Sequence, residues 1–142
     1  EEAGDMELAT GFLAVLETQN ADFTRVFLSL SSSVSGDAEA TRTLFDNPAG
    51  FDVWLPLWQA RLERDEGPAE ARVQAMNRVN PVYVPRNHMV EAALASATKG
   101  DLAPFERLLS VLEDPYTERP GLEVFALGAP SDFGPYTTYC GT

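Results

Sequence analysis

The sequence is poor in the residues from which enzyme sites are most often built. Its 142 residues contain one cysteine, Cys140, and one histidine, His88. A single cysteine excludes an internal disulfide, and one histidine with one cysteine cannot supply the ligands of a zinc site. One residue of each kind is also too little to argue for a cysteine-histidine nucleophile pair. No glycine-rich phosphate loop of either common type is present. We therefore expect no catalytic, cofactor-binding or metal-binding residue in this segment.

Basic residues are also scarce. Lysine and arginine number 10 against 22 aspartates and glutamates, for a formal net charge of -12. This balance argues against nucleic-acid binding, which needs a basic surface, and disfavours an anionic membrane surface. No apolar run approaches the ~20 residues of a membrane span, and the first residues lack the basic start of a signal peptide. With one cysteine and no initiator methionine, we expect a soluble, cytoplasmic piece of a longer chain.

What the sequence contains in quantity is helical periodicity. Apolar residues recur at spacings of three and four along residues 1–114, which predicts an all-α fold of about six helices in an irregular bundle. A serine-rich linker over residues 31–36 is expected to interrupt it. Good N-cap residues precede most of the helices, namely Asp5, Asn20, Asp37, Asn47 and Asp101. The helical segments, one of them short, are Met6 to Thr18, Asn20 to Leu30, Asp37 to Phe45, Asn47 to Leu62, Pro68 to Arg78, Asn87 to Lys99 and Leu102 to Glu113.

The largest apolar face belongs to the segment that carries both tryptophans. Trp54 and Trp58 lie four residues apart and therefore on the same side of a helix. We expect this side to pack against the first two helices, because aromatic side chains bury the most apolar area. Pro56 lies between them and removes one backbone hydrogen bond, which predicts a late helix start or a kink.

Residues 80–101 form the stretch around which the rest of the chain is organised. Pro81 and Pro85 hold its first half as an extended corner. Its second half is an alanine-rich helix that ends at Gly100, and Asp101 opens the next helix, which predicts an antiparallel hairpin. The faces expected to meet in this hairpin are Val90 with Leu94 and Phe105 with Leu109.

After Asp114 the composition changes. Prolines and glycines recur too often for a long helix, yet the segment is too rich in aromatic and aliphatic residues for a free linker. We interpret residues 115–142 as an extended arm that lies in a groove.

For each of the remaining polar features the structural explanation is favoured. His88 is expected to be an ordinary, partly buried histidine on an alanine-rich helix. Arg86 and Asn87 are expected to hydrogen-bond backbone around the corner rather than contact a ligand. Cys140 lies close enough to the chain end to be oxidised, but an inert thiol is favoured because no cation lies beside it in the sequence. Four arginines are interspersed with acidic residues and are expected to form a solvated, ion-paired face, namely Arg61, Arg64, Arg72 and Arg78.

Several short motifs occur in the order found in one known family. They are Asp22 to Phe27, Trp54-Leu55, Arg61-Leu62, Arg72 with Met76 and Asn77, Asn80 to Asn87, Gly100-Asp101, Pro115-Tyr116 and Cys140-Gly141-Thr142. Together they extend over nearly the whole chain. On these motifs the sequence resembles the C-terminal region of the selenoprotein O family (SelO, also called YdiU).

The resemblance implies a parent enzyme with a protein-kinase-like fold. Such enzymes bind ATP in a flipped orientation and transfer AMP to hydroxyl side chains of proteins, using Mg²⁺. The family's nucleotide-binding, metal-binding and catalytic residues lie in the kinase-like core, N-terminal to the motifs matched here, and none can be placed in this sequence. The resemblance therefore implies a helical segment, 1–114, and an arm, 115–142, that are inactive alone and have as partners the N-terminal core and the parent's protein substrates.

The resemblance also gives Cys140 a role. Family members often end in cysteine or selenocysteine followed by two small residues, which implies a redox-regulatory thiol that pairs with a cysteine of the core and tethers the arm. Two hypotheses remain: a structural and regulatory C-terminal region of a protein adenylyltransferase, or a stand-alone helical interaction module without enzymatic activity. A reading frame that continues upstream into a kinase-like domain would support the first.

Overall fold

A computed structural model describes residues 3–134 and residue 136. Within these ranges the chain forms eight helices and no strand, which confirms the predicted all-α class. Six of the helices have ten or more residues, and two are single turns. None of the described helices is long and apolar enough to cross a membrane. The bounds are α1 Asp5–Thr18, α2 Phe23–Val34, α3 Glu39–Arg42, α4 Ala49–Leu62, α5 Ala69–Val79, α6 Asn87–Ala97, α7 Ala103–Leu112 and α8 Glu123–Ala126.

The chain divides into two compact units, Glu1–Asn80 and Pro81–Thr142. The first unit contains α1 to α5 and the second contains α6 to α8. The division point falls inside the proline corner, where the extended backbone ends one unit and begins the next. The predicted boundary after residue 114 separates the long helices from the arm. It is a different boundary from the one between the two compact units, and it stays a prediction.

The core of the first unit is built around Trp54. Its ring stacks on Phe12 of α1 with centroids 4.0 Å apart, and its indole N–H donates to the Leu8 carbonyl at 2.8 Å. Helices α1 and α4 approach closely at Gly50, where a Cβ atom would lie 3.3 Å from the Val15 side chain. The predicted packing of the tryptophan face on the first two helices is thereby confirmed for Trp54. The buried apolar cluster is Phe12, Leu16, Val26, Leu30, Phe45, Phe51 and Trp54.

The helix starts differ from the predicted ones in a systematic way. Helix α2 is capped by Asp22, whose carboxylate accepts from the Arg25 N–H at 3.1 Å, and not by Asn20. Asn20 instead has a φ of 48° and turns the chain between α1 and α2, a conformation that asparagine tolerates. At α1 the cap is Gly4, and Asp5 is the first helical residue.

Three other predicted N-caps lie one residue before the position that is the N-cap in the structure. Asp37, Asn47 and Asp101 each accept a hydrogen bond from the backbone N–H two residues later, at 3.1–3.2 Å. The side chain therefore closes a turn before the helix instead of bonding the second or third helical N–H. The sequence identified the correct residue in each case, but not which N–H its side chain accepts from.

The serine-rich segment is helical where a linker was predicted. Helix α2 continues through Val34 because its serines find partners in the packed structure. The buried hydroxyls of Ser33 and Thr41 lie 3.2 Å apart, and Ser29 donates to Thr41 at 3.0 Å. Packing against α3 thus outweighs the weak helix propensity of serine. Helix α3 in turn ends at Arg42 and not at Phe45.

The three-residue spacing of Val73, Met76 and Val79 predicts that they share the inner face of α5. This expectation is wrong for Val79, which is 69% exposed, whereas Met76 packs on the core. Helix α4 begins at Ala49, well before Pro56, so the late helix start predicted from this proline is wrong.

In the second unit α6 and α7 pack against each other, as the hairpin prediction requires. Gly100 between them has a φ of 89°, a conformation that L-residues rarely adopt. The predicted faces do meet, because one cavity of about 200 Å³ is lined by Val90, Leu94, Phe105 and Leu109. The deepest burial on α7 is nevertheless at Leu108 and Val111, while Phe105 and Leu109 are about half exposed. The periodicity predicted where the apolar stripe of α7 lies. It did not predict which residues of the stripe are most buried, because all of them are apolar.

Candidate interaction surfaces

The first unit contains an aromatic cleft of about 410 Å³. It opens between α1, α2, α4 and α5, and its walls include Phe12, Phe27, Trp54, Trp58 and Met76. Trp58 stacks on Trp54 with ring centroids 5.5 Å apart and is only partly buried, because one side of it faces the cleft. The cleft is large enough to accept one or two large apolar groups, and its walls supply apolar contact rather than catalytic chemistry.

A charged network lines the same cleft. Arg61 donates through Nε to Asp5 at 2.7 Å and through Nη1 to Asp65 at 2.6 Å. These hydrogen bonds, with that of Asp5 the largest contribution, raise the pKa of Arg61 above its usual value. The side chain of Arg61 is 20% exposed, so the expected solvated face is ion-paired but largely buried at this residue. The network joins the start of α1 to the end of α4.

Two other arginines of that face bind backbone. Arg72 donates to the Asp65 carbonyl at 2.8 Å and so holds the loop between α4 and α5. Arg78 donates to the Gln74 carbonyl one turn earlier in its own helix. Each of these side chains thus fixes local structure.

In the second unit Tyr83 fixes the proline corner to the chain after α7. The side chain of Tyr83 is 1% exposed, and its hydroxyl accepts from the Arg119 N–H at 2.9 Å. The Arg119 guanidinium lies over the Tyr83 ring, 5.3 Å from its centroid, and donates to the Val111 carbonyl at 2.6 Å. The Pro115 carbonyl accepts from both Val82 and Tyr83 N–H groups. These contacts therefore hold the proline corner against the chain that follows α7.

The described part of the arm lies along α6 and α7. Phe125 packs under the Arg107 guanidinium at 5.6 Å, and Phe133 meets the half-buried His88 ring edge-on at 5.7 Å. Tyr136 donates its hydroxyl to Glu91 at 2.6 Å, which raises the pKa of Tyr136. His88 is thus a packing residue here. Within the described residues the arm contacts this unit's own helices, and the groove for the whole arm 115–142 stays a prediction.

Arg86 also contacts the arm. It donates to the Ala126 carbonyl at 3.3 Å, so it hydrogen-bonds backbone as expected, although that backbone belongs to α8 and not to the corner. Asn87 is simply the first residue of α6.

The side chains of residues 3–134 and 136 do not fit a metal site. Among them no group of three histidine, cysteine, aspartate or glutamate side chains is placed to hold a metal ion. The Mg²⁺ implied for the family therefore has no fitting ligand set in residues 3–134 and 136. Cys140, the predicted redox residue, lies outside the described residues.

Most of the motif residues prove to have structural roles. Asp22 caps α2, Trp54 centres the core, Arg61 and Arg72 hold loops and helix ends, and Gly100 makes the α6–α7 turn. Sequence reasoning missed the partners, above all Arg119 for Tyr83 and Asp5 for Arg61. No spacing rule could have supplied them, because each pair joins residues 36 or 56 positions apart.

Comparison with known proteins gives a consistent result. The family model described as Protein adenylyltransferase SelO matches residues 1–113. A Protein nucleotidyltransferase YdiU of Mycolicibacterium paratuberculosis is 48% identical over 92% of the chain, which covers 26% of that protein. The proteins of the same name from Cereibacter sphaeroides strain KD131 and Pseudarthrobacter chlorophenolicus are 47% and 44% identical over 99% and 96% of the chain, covering 28% and 26% of their lengths.

The chain thus spans about a quarter of the length of the curated relatives it matches. The match of the family model covers the first unit and the α6 and α7 helices of the second. It includes the corner, the hairpin and the tryptophan helix described above. This chain belongs to the SelO family.

Proposed function

We propose that this chain is the C-terminal helical region of a SelO-type protein adenylyltransferase, with a structural and regulatory role in the parent enzyme. The observation that carries the proposal is that the match covers nearly all of this chain but only part of each relative. Identity of 44–48% extends over at least 92% of the chain but over only 26–28% of the relatives. A segment this similar throughout has the same structure in the relatives, and the activity in their name requires the remaining length.

The roles of the motif residues support a structural contribution. Asp22 caps α2, Arg72 binds a loop carbonyl and Gly100 makes the α6–α7 turn, which are contributions to the fold. The nucleotide and Mg²⁺ of the parent reaction are proposed to bind in the kinase-like core, outside this chain. Transfer of AMP to protein hydroxyl groups is likewise proposed for the parent protein only.

The chain alone should not bind ATP with Mg²⁺ at micromolar affinity. A net charge of -12 repels a polyanionic nucleotide, and the sequence offers no phosphate loop to offset that repulsion. Isothermal titration calorimetry of the 142-residue chain should show no saturable heat, while the parent protein in the same buffer should bind. A saturable micromolar isotherm for the chain would place a nucleotide site inside it and contradict the proposal.

The regulatory part of the proposal rests on Cys140. A thiol at the end of the arm can reach a distant cysteine, because an extended chain spans about 3.3 Å per residue. A disulfide forms only if the two Cα atoms come within about 7 Å. We propose that such a bond joins Cys140 to a cysteine of the core and that a reductant releases it.

Replacing Cys140 by serine in the parent protein should remove its response to reductant. The wild-type protein should change its rate of AMP transfer when dithiothreitol is added, since the arm is then released. The Cys140→Ser protein should have the same rate with and without reductant. Equal responses of the two proteins would show that Cys140 is only a terminal residue.

A further inference from the structure

The outward side of α4 is apolar although it faces solvent. Val53 is 72% exposed and Leu57 is 61% exposed, on the side opposite the buried Phe51 and Trp54. A helix that is apolar on both sides is normally covered on both sides. The exposed stripe, called the α4 stripe below, consists of Ala49, Val53, Pro56, Leu57 and Ala60.

Charged neighbours do not enter this stripe. Asp52 on its flank is engaged by Arg42, with an Nε–Oδ1 distance of 2.8 Å and a second bond of 3.0 Å. Arg61 at the far end is engaged by Asp5 and Asp65. Pro56 adds one polar feature: it has no N–H, so the Asp52 carbonyl one turn earlier lacks its usual helical donor. The side chains of the stripe itself are therefore all apolar.

A cleft of about 340 Å³ adjoins the stripe at Leu57. It lies between the first turns of α1 and the second half of α4, and its walls are apolar at Leu8, Gly11, Trp54 and Leu57 and charged at Asp5, Glu7, Arg61 and Arg64. A strip flanked by a cleft that fits a large side chain, with charged groups beside it, is the form of a docking surface with one central anchor. Scattered single apolar residues would not need such an explanation, but an apolar stripe over three helical turns does.

We propose that the α4 stripe and its cleft are the surface on which the remaining part of the parent protein docks. This inference rests on the proposed function, because it takes its occupant from the same polypeptide. More than two thirds of the length of the relatives lies outside the chain, so an intramolecular partner is always present at high effective concentration. A second copy is disfavoured, because it carries the same net charge of -12. The docking element is an apolar ridge that inserts one large side chain into the cleft.

Hydroxyl-radical footprinting read by mass spectrometry tests the inference on unaltered protein. The oxidation rates of Val53 and Leu57 are compared between the parent protein and the 142-residue chain, with a free reporter peptide to normalise the radical dose. Both side chains should be oxidised several-fold more slowly in the parent protein. Equal rates in the two proteins would overturn the inference. Protection in the 142-residue chain that grows with its concentration would also overturn it, and would indicate a second copy on the stripe.

A pair of matched variants gives an independent result. In the parent protein Leu57→Asp should lower the melting temperature by several degrees, because a carboxylate would be buried in the interface. Met6→Asp, at a position that is 67% exposed on α1, should stay within about 2 °C of wild type. In the 142-residue chain neither variant should shift the melting temperature. Equal shifts for both variants in the parent would contradict a specific surface on α4.

These measurements separate the inference from the proposed function. A parent protein that transfers AMP but leaves Leu57 accessible would refute the docking surface alone. Protection of Leu57 in a parent protein that transfers no nucleotide would refute the proposed activity and keep the interface.

Discussion

Replacing Trp54 by alanine should lower the free energy of unfolding by about 3–5 kcal/mol, the range found for large aromatic side chains in cores. The indole is 7% exposed and contacts Phe12, Phe51 and Trp58, so its removal leaves a cavity on three sides. It also leaves the Leu8 carbonyl without the indole donor that now bonds it at 2.8 Å. A loss of this size is a large share of the ~5–15 kcal/mol by which domains are stable.

Urea unfolding followed by far-UV circular dichroism measures the effect. Trp58→Ala is the matched control, because Trp58 lies on the same helix four residues later but faces the aromatic cleft and is only partly buried. Its cost should be clearly smaller than that of Trp54→Ala. A larger cost for Trp58 would mean that the cleft is closed in solution and that the core is centred one turn further along α4.

The fold of the first unit was predictable where a single apolar stripe decided it. Trp54 was placed correctly because its spacing from Phe51 and Trp58 leaves only one helix face for all three. The same reasoning failed for Ser31 and Ser33, whose helical state depends on the hydroxyl of Thr41 and hence on packing. Local propensity is a weak prior, and a buried polar contact with another element outweighs it.

The second unit shows a different limit. The prolines of the corner and Gly100 fixed the backbone path, because each restricts φ by its own covalent structure. Which face of α7 would be buried did not follow, since Leu108 and Leu109 are equally apolar and adjacent. For the candidate surfaces the composition predicted the residues of the arm but not its contacts with His88 and Glu91, since contacts across 45 positions have no sequence signature.

Replacing Tyr83 by alanine should cost about 3–5 kcal/mol of stability and release the chain between α7 and α8. Tyr83 is 1% exposed, its hydroxyl accepts from the Arg119 N–H at 2.9 Å, and its ring supports the Arg119 guanidinium. Tyr83→Phe keeps the ring and removes only the hydroxyl, so it should cost about 1–3 kcal/mol for the N–H left unpaired. Tyr116→Ala removes the same side chain at a position that is 50% exposed, and it should cost about 0.5 kcal/mol or less.

Hydrogen exchange of residues 115–126, measured by mass spectrometry beside urea unfolding, should become much faster in Tyr83→Ala and stay unchanged in Tyr116→Ala. If Tyr83→Phe were as harmful as Tyr83→Ala, the hydroxyl rather than ring packing would hold the corner, and if neither variant accelerated exchange, Tyr83 would not be the residue that locks the two segments together.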